Sequence, residues 1–230
     1  MVSNFLGEVV QIERISSIIS GNEIMAREGV NLQKGMNFRD GEALLSIFLV
    51  LPHEAVFKDT WDADTEIYTY LGHDSTTVES GKLEDQILMY ESGKLTDNGK
   101  FRKAANGFKD GIRTEPMQVQ VYEKLDAGIW FDKGIFNLVD SMQVTEEGRR
   151  VYQFHLNPIG TESNFDERML SATVKAEAWV TAKGRCATCK GEEGLRFVAE
   201  ASKKGSRIKS TVQLLCVKHS GAKKRGGMLG

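Results

Sequence analysis

Three cysteines and one histidine near the C-terminus constrain this chain more than any other feature. Cys186 and Cys189 form a C-x-x-C pair, Cys216 and His219 form a C-x-x-H pair, and 26 residues separate the two. Every cysteine of the chain is spent there. Two such knuckles supply the thiolate and imidazole donors of a closed tetrahedral zinc site. Four protein ligands leave no position open for water, so the expected ion is structural. Structural zinc binds such segments with apparent free energies of about 10–16 kcal/mol at neutral pH, which is enough to fold them outright. The other reading of the same residues is three buried thiols beside a surface histidine.

Charge is divided unevenly along the chain. Residues 183–230 hold 12 Lys and Arg against 3 Glu, a net +9, which leaves −11 on the first 182 residues of a chain whose net charge is −2. A basic module on an acidic body points to a polyanion at the C-terminal end. Lys203, Lys204, Arg207, Lys209 and Lys223 are the candidates for contacts to a nucleic-acid backbone. No apolar run reaches transmembrane length and no secretory leader is expected, so the reading is a cytoplasmic protein with no membrane partner. Cysteines at metal spacing fit a reducing compartment.

Along the chain, strands outnumber helices. A short helix is expected over Glu23–Leu32, and Ala43–Leu51 reads as a buried strand stopped by Pro52. Ile67–Leu71 alternates as a strand after an aspartate-rich loop. Gly81–Lys94 reads as a helix around Leu83, Ile87, Leu88 and Tyr90, with a turn at Leu95–Gly99 and a basic segment after it. Met117–Tyr122 and Arg150–Leu156 alternate cleanly as strands. Ile129–Val139 reads as two strand pieces around a glycine bend, and Glu146–Gly148 as a turn. Ser163 is placed to cap one helix from Asn164 to about Thr181, with an apolar stripe of Phe165, Met169, Leu170, Val174, Ala178 and Trp179. The class is therefore α+β: a β-barrel-like domain with flanking helices over residues 1–160, a linker helix over 161–182, and a small metal-bound module over 183–230.

The C-terminal module resembles the zinc-stabilised HNH (ββα-metal) nucleases. After the first knuckle comes a strand-like Leu195-Arg196-Phe197-Val198, and before the second comes Val212-Gln213-Leu214-Leu215-Cys216. In that family a histidine at the strand end activates the attacking water, and a second divalent ion, Mg²⁺ or Mn²⁺, stabilises charge on the phosphate. By spacing, the histidine belongs at Ala199 and the family's asparagine at Thr211. An alanine takes no proton, so the module as written does not cut by that route. Two explanations stand open: decay to a zinc-held DNA grip, or a deliberate His→Ala replacement. Thr211, Ser220 and Lys223 are the candidates near the scissile phosphate.

From Gly35 to Pro158 the order of motifs is similar to the SRA (SET and RING associated) domain, a PUA-like barrel that reads modified bases in DNA. The family's pocket strand is matched by Glu66-Ile67-Tyr68-Thr69-Tyr70-Leu71-Gly72. Its "D-Q-x-L" and "L-T-x-x-N" elements are matched by Asp85-Gln86-Ile87-Leu88 and Leu95-Thr96-Asp97-Asn98. Its "Y-D-G-L-Y" signature is echoed, with one inserted lysine, by Phe131-Asp132-Lys133-Gly134-Ile135-Phe136. The glycine-rich turn of the pocket loop is missing, since residues 52–58 contain no glycine. The resemblance implies that a modified cytosine such as 5-methylcytosine is flipped out and stacked between two aromatic rings, while an aspartate reads its amine. Tyr70 matches the strand ring. Trp61 with Asp64 keeps the loop spacing, and Phe57 with Asp59 is the nearest rival. His53, His73 and His155 have no partner spacing and read as ordinary histidines.

Together the two resemblances imply a modification-dependent restriction endonuclease of the SRA–HNH type, acting on double-stranded DNA and working as a homodimer, because one HNH site nicks one strand. The alternatives are a non-catalytic reader with a zinc-held DNA-binding tail and a PUA-like RNA-binding protein.

Overall fold

A computed structural model describes residues 17–29, 35–37, 46–50, 60–62, 64–74, 84–159, 165–204 and 207–224. Asp59 and its rival Phe57 lie outside the described residues, as do His53 and Ser163. So do the side chains of Phe165, Lys203, Lys204, Arg207, Lys209 and Lys223.

The architecture is mixed α/β with a mostly antiparallel main sheet. Its strands are β1 (Ile18–Ser20), β2 (Met36–Asn37), β3 (Ser46–Val50), β4 (Thr60–Asp62), β5 (Ile67–Leu71), β6 (Met117–Asp126), β7 (Ile129–Glu146) and β8 (Arg149–Pro158). They run in the order β2-β3-β6-β7-β8-β5-β4, with β1 added to β7. Only β3 and β6 pair in parallel among these ladders. The alternating runs form strands because one face is apolar: Val119, Val121, Phe136, Leu138, Phe154 and Leu156 are all fully buried in one core. Each buried aromatic or aliphatic side chain contributes about 1.5–3 kcal/mol.

Among the described residues, five helices accompany the strands. Helix α1 (Gly21–Glu28) starts at a complete capping box between Ser20 and Glu23 and ends at Gly29 in the left-handed region, three residues short of the expected Leu32. Helix α2 (Asp97–Lys109) packs on β7 and β8 and buries Phe101 and Ala105 in the main core. Its first turn lies so close to the preceding segment that a Cβ at Gly99 would collide with the Leu88 carbonyl.

That helix displaces the one expected over Gly81–Lys94. Among the described residues 84–94 there is no helix. The segment runs beside β8 instead: the Gln86 N–H donates to the Arg150 carbonyl at 2.9 Å and the Arg150 N–H to the Asp85 carboxylate at 2.6 Å. A tight turn at Gly93 then brings Met89 opposite Leu95. Thr96 caps α2 by accepting from the Gly99 N–H at 3.1 Å.

Ile129–Val139 is part of a single 18-residue strand rather than two pieces. The inserted lysine explains why. Val121 faces Gly134 and Tyr122 faces Asp132, so Lys133 is the extra residue of a β-bulge, with Gly134 at φ 90°. The bulge turns the Lys133 ammonium inward, where it donates to Glu123 Oε1 and to the Arg168 carbonyl, each at 2.6 Å.

The single helix expected from Asn164 is two: α3 (Phe165–Met169) and α4 (Ala172–Ala182). The break falls at Ser171, which caps α4 by accepting from the Val174 N–H at 3.3 Å. Before it, Arg168 turns inward and donates to the carbonyls of Lys133, Ile135 and Ile159. Val174 of the expected stripe is exposed, and Ala172, Lys175 and Ala176 are buried instead.

The C-terminal stretch is a two-stranded antiparallel hairpin, β9 (Leu195–Lys204) and β10 (Arg207–Cys216), followed by α5 (Val217–Lys224). Its core joins Leu195, Phe197, Leu214 and Leu215 to Leu125 and Phe131 of β6 and β7, with Leu170, Ala178 and Trp179 packed alongside. At the same joint two ammonium groups share one buried carboxylate. Glu123 pairs with Lys133 and Lys175, and all three are at most 1% exposed. Burial brings the Lys175 ammonium down to about 7 against the opposing pull of Glu123.

Candidate base pocket and metal centre

Cys186 follows the C-terminal turn of α4, where Lys183 and Gly184 adopt left-handed conformations. The knuckle closes on itself: the Cys186 N–H donates to the Gly191 carbonyl at 2.8 Å, and the Lys190 N–H donates to the Cys186 carbonyl at 2.9 Å. The Ala187 N–H donates to the Leu214 carbonyl at 2.8 Å, tying the knuckle to β10. Cys216 ends β10 and His219 lies in the first turn of α5, so the hairpin delivers the second pair to the first.

The four donor atoms lie within 4.8 Å of one another. Cys189 Sγ is 3.8 Å from Cys216 Sγ, and His219 Nδ1 is 3.5 Å from Cys186 Sγ and 3.2 Å from Cys216 Sγ. Zinc–sulfur bonds of about 2.3 Å at tetrahedral angles place two sulfurs about 3.8 Å apart, so the donor set has the dimensions of one tetrahedral ion. Burial pushes the Cys186 thiol up, but N–H groups of Cys189, Cys216 and Thr188 outweigh it and bring the thiol down to about 5. The Gly191 N–H pulls the Cys189 thiol down, and the neighbouring sulfurs of Cys186 and Cys216 overcome it and hold that thiol above its ordinary value. These four residues could hold a metal ion. Among the described residues they are the only group of three or more metal-ligating side chains brought together.

The residues expected near a scissile phosphate are spread over the hairpin. Ala199 is exposed on β9 opposite Val212, on the face that carries Phe197 and Leu214. Thr211 is exposed on β10 one position further along, and so presents to the opposite face. Ser220 is half-buried on α5 and donates its hydroxyl to the Val217 carbonyl at 3.1 Å.

In the main sheet, Trp61 of β4 faces Tyr68 of β5, and Tyr70 follows two residues on, so the three rings share one face. Tyr68 and Tyr70 are each 3% exposed and belong to the main core, with Trp61 half-buried against it. Asp64 lies exposed in the β4–β5 turn. Its N–H and that of Thr65 donate to Asp62 Oδ1 at 2.9 and 3.3 Å, holding the Asp62 carboxyl below its ordinary value. Asp62 therefore builds the turn, and Asp64 is left with its carboxylate toward solvent. Asp132 sits before the bulge and accepts from Gln120, Gly134 and Arg27.

The polar residues of the two short motifs converge on the end of β5. Gln86 donates to the Gly72 carbonyl at 2.5 Å and accepts from the Tyr152 N–H at 2.8 Å, while the Gly72 N–H donates to the Tyr152 carbonyl at 2.7 Å. Asn98 accepts from the His73 N–H at 2.9 Å and donates to the His73 carbonyl at 2.8 Å. Two side chains thus do the work of a paired strand on residues 72 and 73. His73, read from sequence as an ordinary histidine, has its Nε2 3.0 Å from the Tyr70 hydroxyl. No spacing rule for strands links a tyrosine to a histidine three residues on. His155 lies on β8, where burial holds it below its ordinary value.

No family model matches this chain, and no curated protein sequence matches it. Among solved structures it is similar to the SUVH5 SRA domain in complex with hemi-methylated CG DNA. That match has 18% identity and a TM-score of 0.43, and it covers 70% of this chain and 95% of that one. It is also similar to the same domain with fully methylated CG DNA, at 19% identity, TM-score 0.42, and 62% and 86% coverage. The DNA modification-dependent restriction endonuclease AspBHI gives 15% identity, TM-score 0.45, and 70% and 82% coverage.

Proposed function

We propose that this chain recognises a modified cytosine in double-stranded DNA by drawing the base out of the duplex. We further propose that its C-terminal hairpin is the zinc-held scaffold of an HNH-like endonuclease lacking its general base at position 199. The observation that carries the first part is the placement of Trp61 and Tyr70 on one face of β4 and β5. Tyr70 is only 3% exposed, so a base reaches its ring only by leaving the duplex and displacing part of the core packed against it. Trp61 on the same face supplies the second aromatic surface, and stacking of this kind contributes about 1–3 kcal/mol per base. The exposed Asp64 offers the carboxylate that accepts from the exocyclic amine of cytosine and has no such partner in thymine.

Zinc on Cys186, Cys189, Cys216 and His219 supplies structural closure and nothing to the reaction. Support for it is the tetrahedral spacing of the donors and the depressed Cys186 thiol. For hydrolysis a base must take a proton from the attacking water. A histidine at position 199 would stand exposed on β9 with room to do so, whereas the alanine has no acceptor. That absence favours a second reading, in which the chain reads modified DNA and its basic hairpin only grips phosphate.

The chain as it stands and its Ala199→His variant are to be incubated, with magnesium or manganese, with duplexes carrying methylated, hydroxymethylated or plain cytosine. Cutting of modified duplex by the variant alone is the expected result. Binding of modified duplex without cutting by either protein leaves the non-catalytic reading. Equal binding of modified and plain duplex by both removes the base-reading proposal, and a preference for structured RNA would replace it with the RNA-binding one.

A further inference from the structure

We propose that His73 is the positioning residue of the base pocket: it holds the Tyr70 ring in one orientation and so sets how well the pocket separates modified from plain cytosine. The inference rests on the reading of Tyr70 as the wall on which the extruded base stacks.

The Tyr70 ring is held at its Cα end by the strand and along its faces by the core, and its hydroxyl end meets the His73 imidazole 3.0 Å away. The two rings are 6.2 Å apart and tilted by 48°, so His73 does not stack on Tyr70 and acts through the hydrogen bond. An anchor works only if it is itself fixed. Asn98 grips the His73 N–H and carbonyl together, and Gln86 and Tyr152 grip Gly72 in the same way. Gly35 closes the arrangement: a Cβ there would fall on the imidazole Nε2 and within 3.0 Å of the Tyr70 hydroxyl. A backbone segment without a side chain thus covers the hydrogen bond, and any larger residue at 35 would push the imidazole off it. The polar residues of the two motifs act on the base through His73 and Tyr70, without touching it.

The experiment uses the full chain and three variants: His73→Ala, His73→Gln and Gly35→Ala. Binding is measured to a 5-methylcytosine duplex and to the plain duplex of the same sequence. Fluorotyrosine replaces the chain's five tyrosines, and Tyr70→Phe assigns the Tyr70 fluorine resonance. His73→Ala is expected to weaken binding of the methylated duplex by about two- to tenfold, the range of one hydrogen bond. The plain duplex should be unaffected, and the Tyr70 resonance should shift or broaden. Gly35→Ala should move both readouts in the same direction, and His73→Gln, which still reaches the hydroxyl, should restore most of the loss. A merely structural role would lower the melting temperature and leave the methylated-to-plain ratio and the resonance unchanged, which overturns the proposal. If the parent chain binds both duplexes equally, base reading fails on its own account. The resonance then decides for His73: unmoved in His73→Ala, it overturns the positioning role as well.

Discussion

The main sheet and the C-terminal hairpin are ordered by different means. The sheet buries Phe101, Phe136, Phe154 and Tyr70 in a core to which the hairpin contributes no buried residue. Among the described residues, the hairpin's strands bring Leu195, Phe197, Leu214, Leu215 and Cys216 to the eight buried residues of its core, Cys186 is a second cysteine there, and two more are Leu125 and Phe131 of the sheet. A strand pair that small does not stand alone in water. The hairpin's core therefore draws on two cysteines and on a neighbour, whereas the sheet depends on apolar burial. The functional proposals divide along the same line, with recognition in the self-sufficient part and backbone contact in the dependent part.

The sharpest way to break this contrast is to remove the metal. Chelation, or Cys216→Ser, should abolish protection of residues 183–224 in hydrogen exchange and leave the main sheet protected. One zinc per chain should be released. The expected effect is the largest available, on the scale of about 10 kcal/mol of lost binding free energy. A hairpin that stays protected without metal would show that Leu125 and Phe131 alone support it.

The joint between the regions comes next. Glu123→Ala would leave the Lys133 and Lys175 ammonium groups buried against each other without a carboxylate, and removing one partner of a buried ion pair costs about 3–5 kcal/mol. Denaturant unfolding reads the loss. If sheet and hairpin unfold together in the parent chain and separately in the variant, the cluster couples them.

Lys175 also predicts a dependence on pH. Its ammonium is brought down to about 7 in the folded chain, from an ordinary 10.5. Between those values the unfolded chain holds the proton and the folded chain has released it. Stability from this group therefore rises with pH across that window and is flat below it. The neighbouring groups are Glu123 on β6, Lys133 on β7 and Glu167 on α3. Lys175→Met should flatten the rise, measured as the difference between the two proteins' melting temperatures from pH 7 to 10.

How much of this was legible in the sequence follows from how locally each feature is encoded. The four candidate metal ligands are a pattern of spacing, and the structure brings all four together. The runs Ile67–Leu71, Met117–Tyr122 and Arg150–Leu156 alternate in sequence, and strands β5, β6 and β8 occur where those runs place them, although β6 is buried on both faces over Val119–Glu123. Helix α2 was not, because it opens on Asp97, Asn98 and Gly99 and, apart from Phe101, packs through small residues. The apolar residues of 87–90 imitate a helical face, although the segment serves β8. Lys133 and Lys175 could not be read as buried, since a charged side chain is expected outside unless its partner is known, and Glu123 lies ten residues or more away. His73 was passed over for the same reason: its meaning comes from Asn98 and Gly35, both remote in sequence.

The smallest effects concern helix caps, and they test whether the two regions differ in how tightly their edges are built. Thr96 and Ser171 cap α2 and α4 in the same way, each side-chain oxygen accepting from an N–H three residues on. Removal of such a cap costs about 0.5–2 kcal/mol. The surroundings differ. Thr96 is buried, and its hydroxyl also donates to the Ile87 carbonyl at 2.8 Å, so Thr96→Ala leaves that carbonyl without this donor. The Ser171 cap is exposed, and water can replace it. Thr96→Ala should therefore fall at the upper end of the range and Ser171→Ala at the lower, both read from denaturant midpoints with unchanged slopes. Equal losses would mean that the Ile87 hydrogen bond adds nothing. A larger loss at Ser171 would mean that α4, which touches both β6 and β10, carries more of the chain's stability than the sheet's own helix, and the contrast between a self-sufficient sheet and a dependent hairpin would have to be redrawn around it.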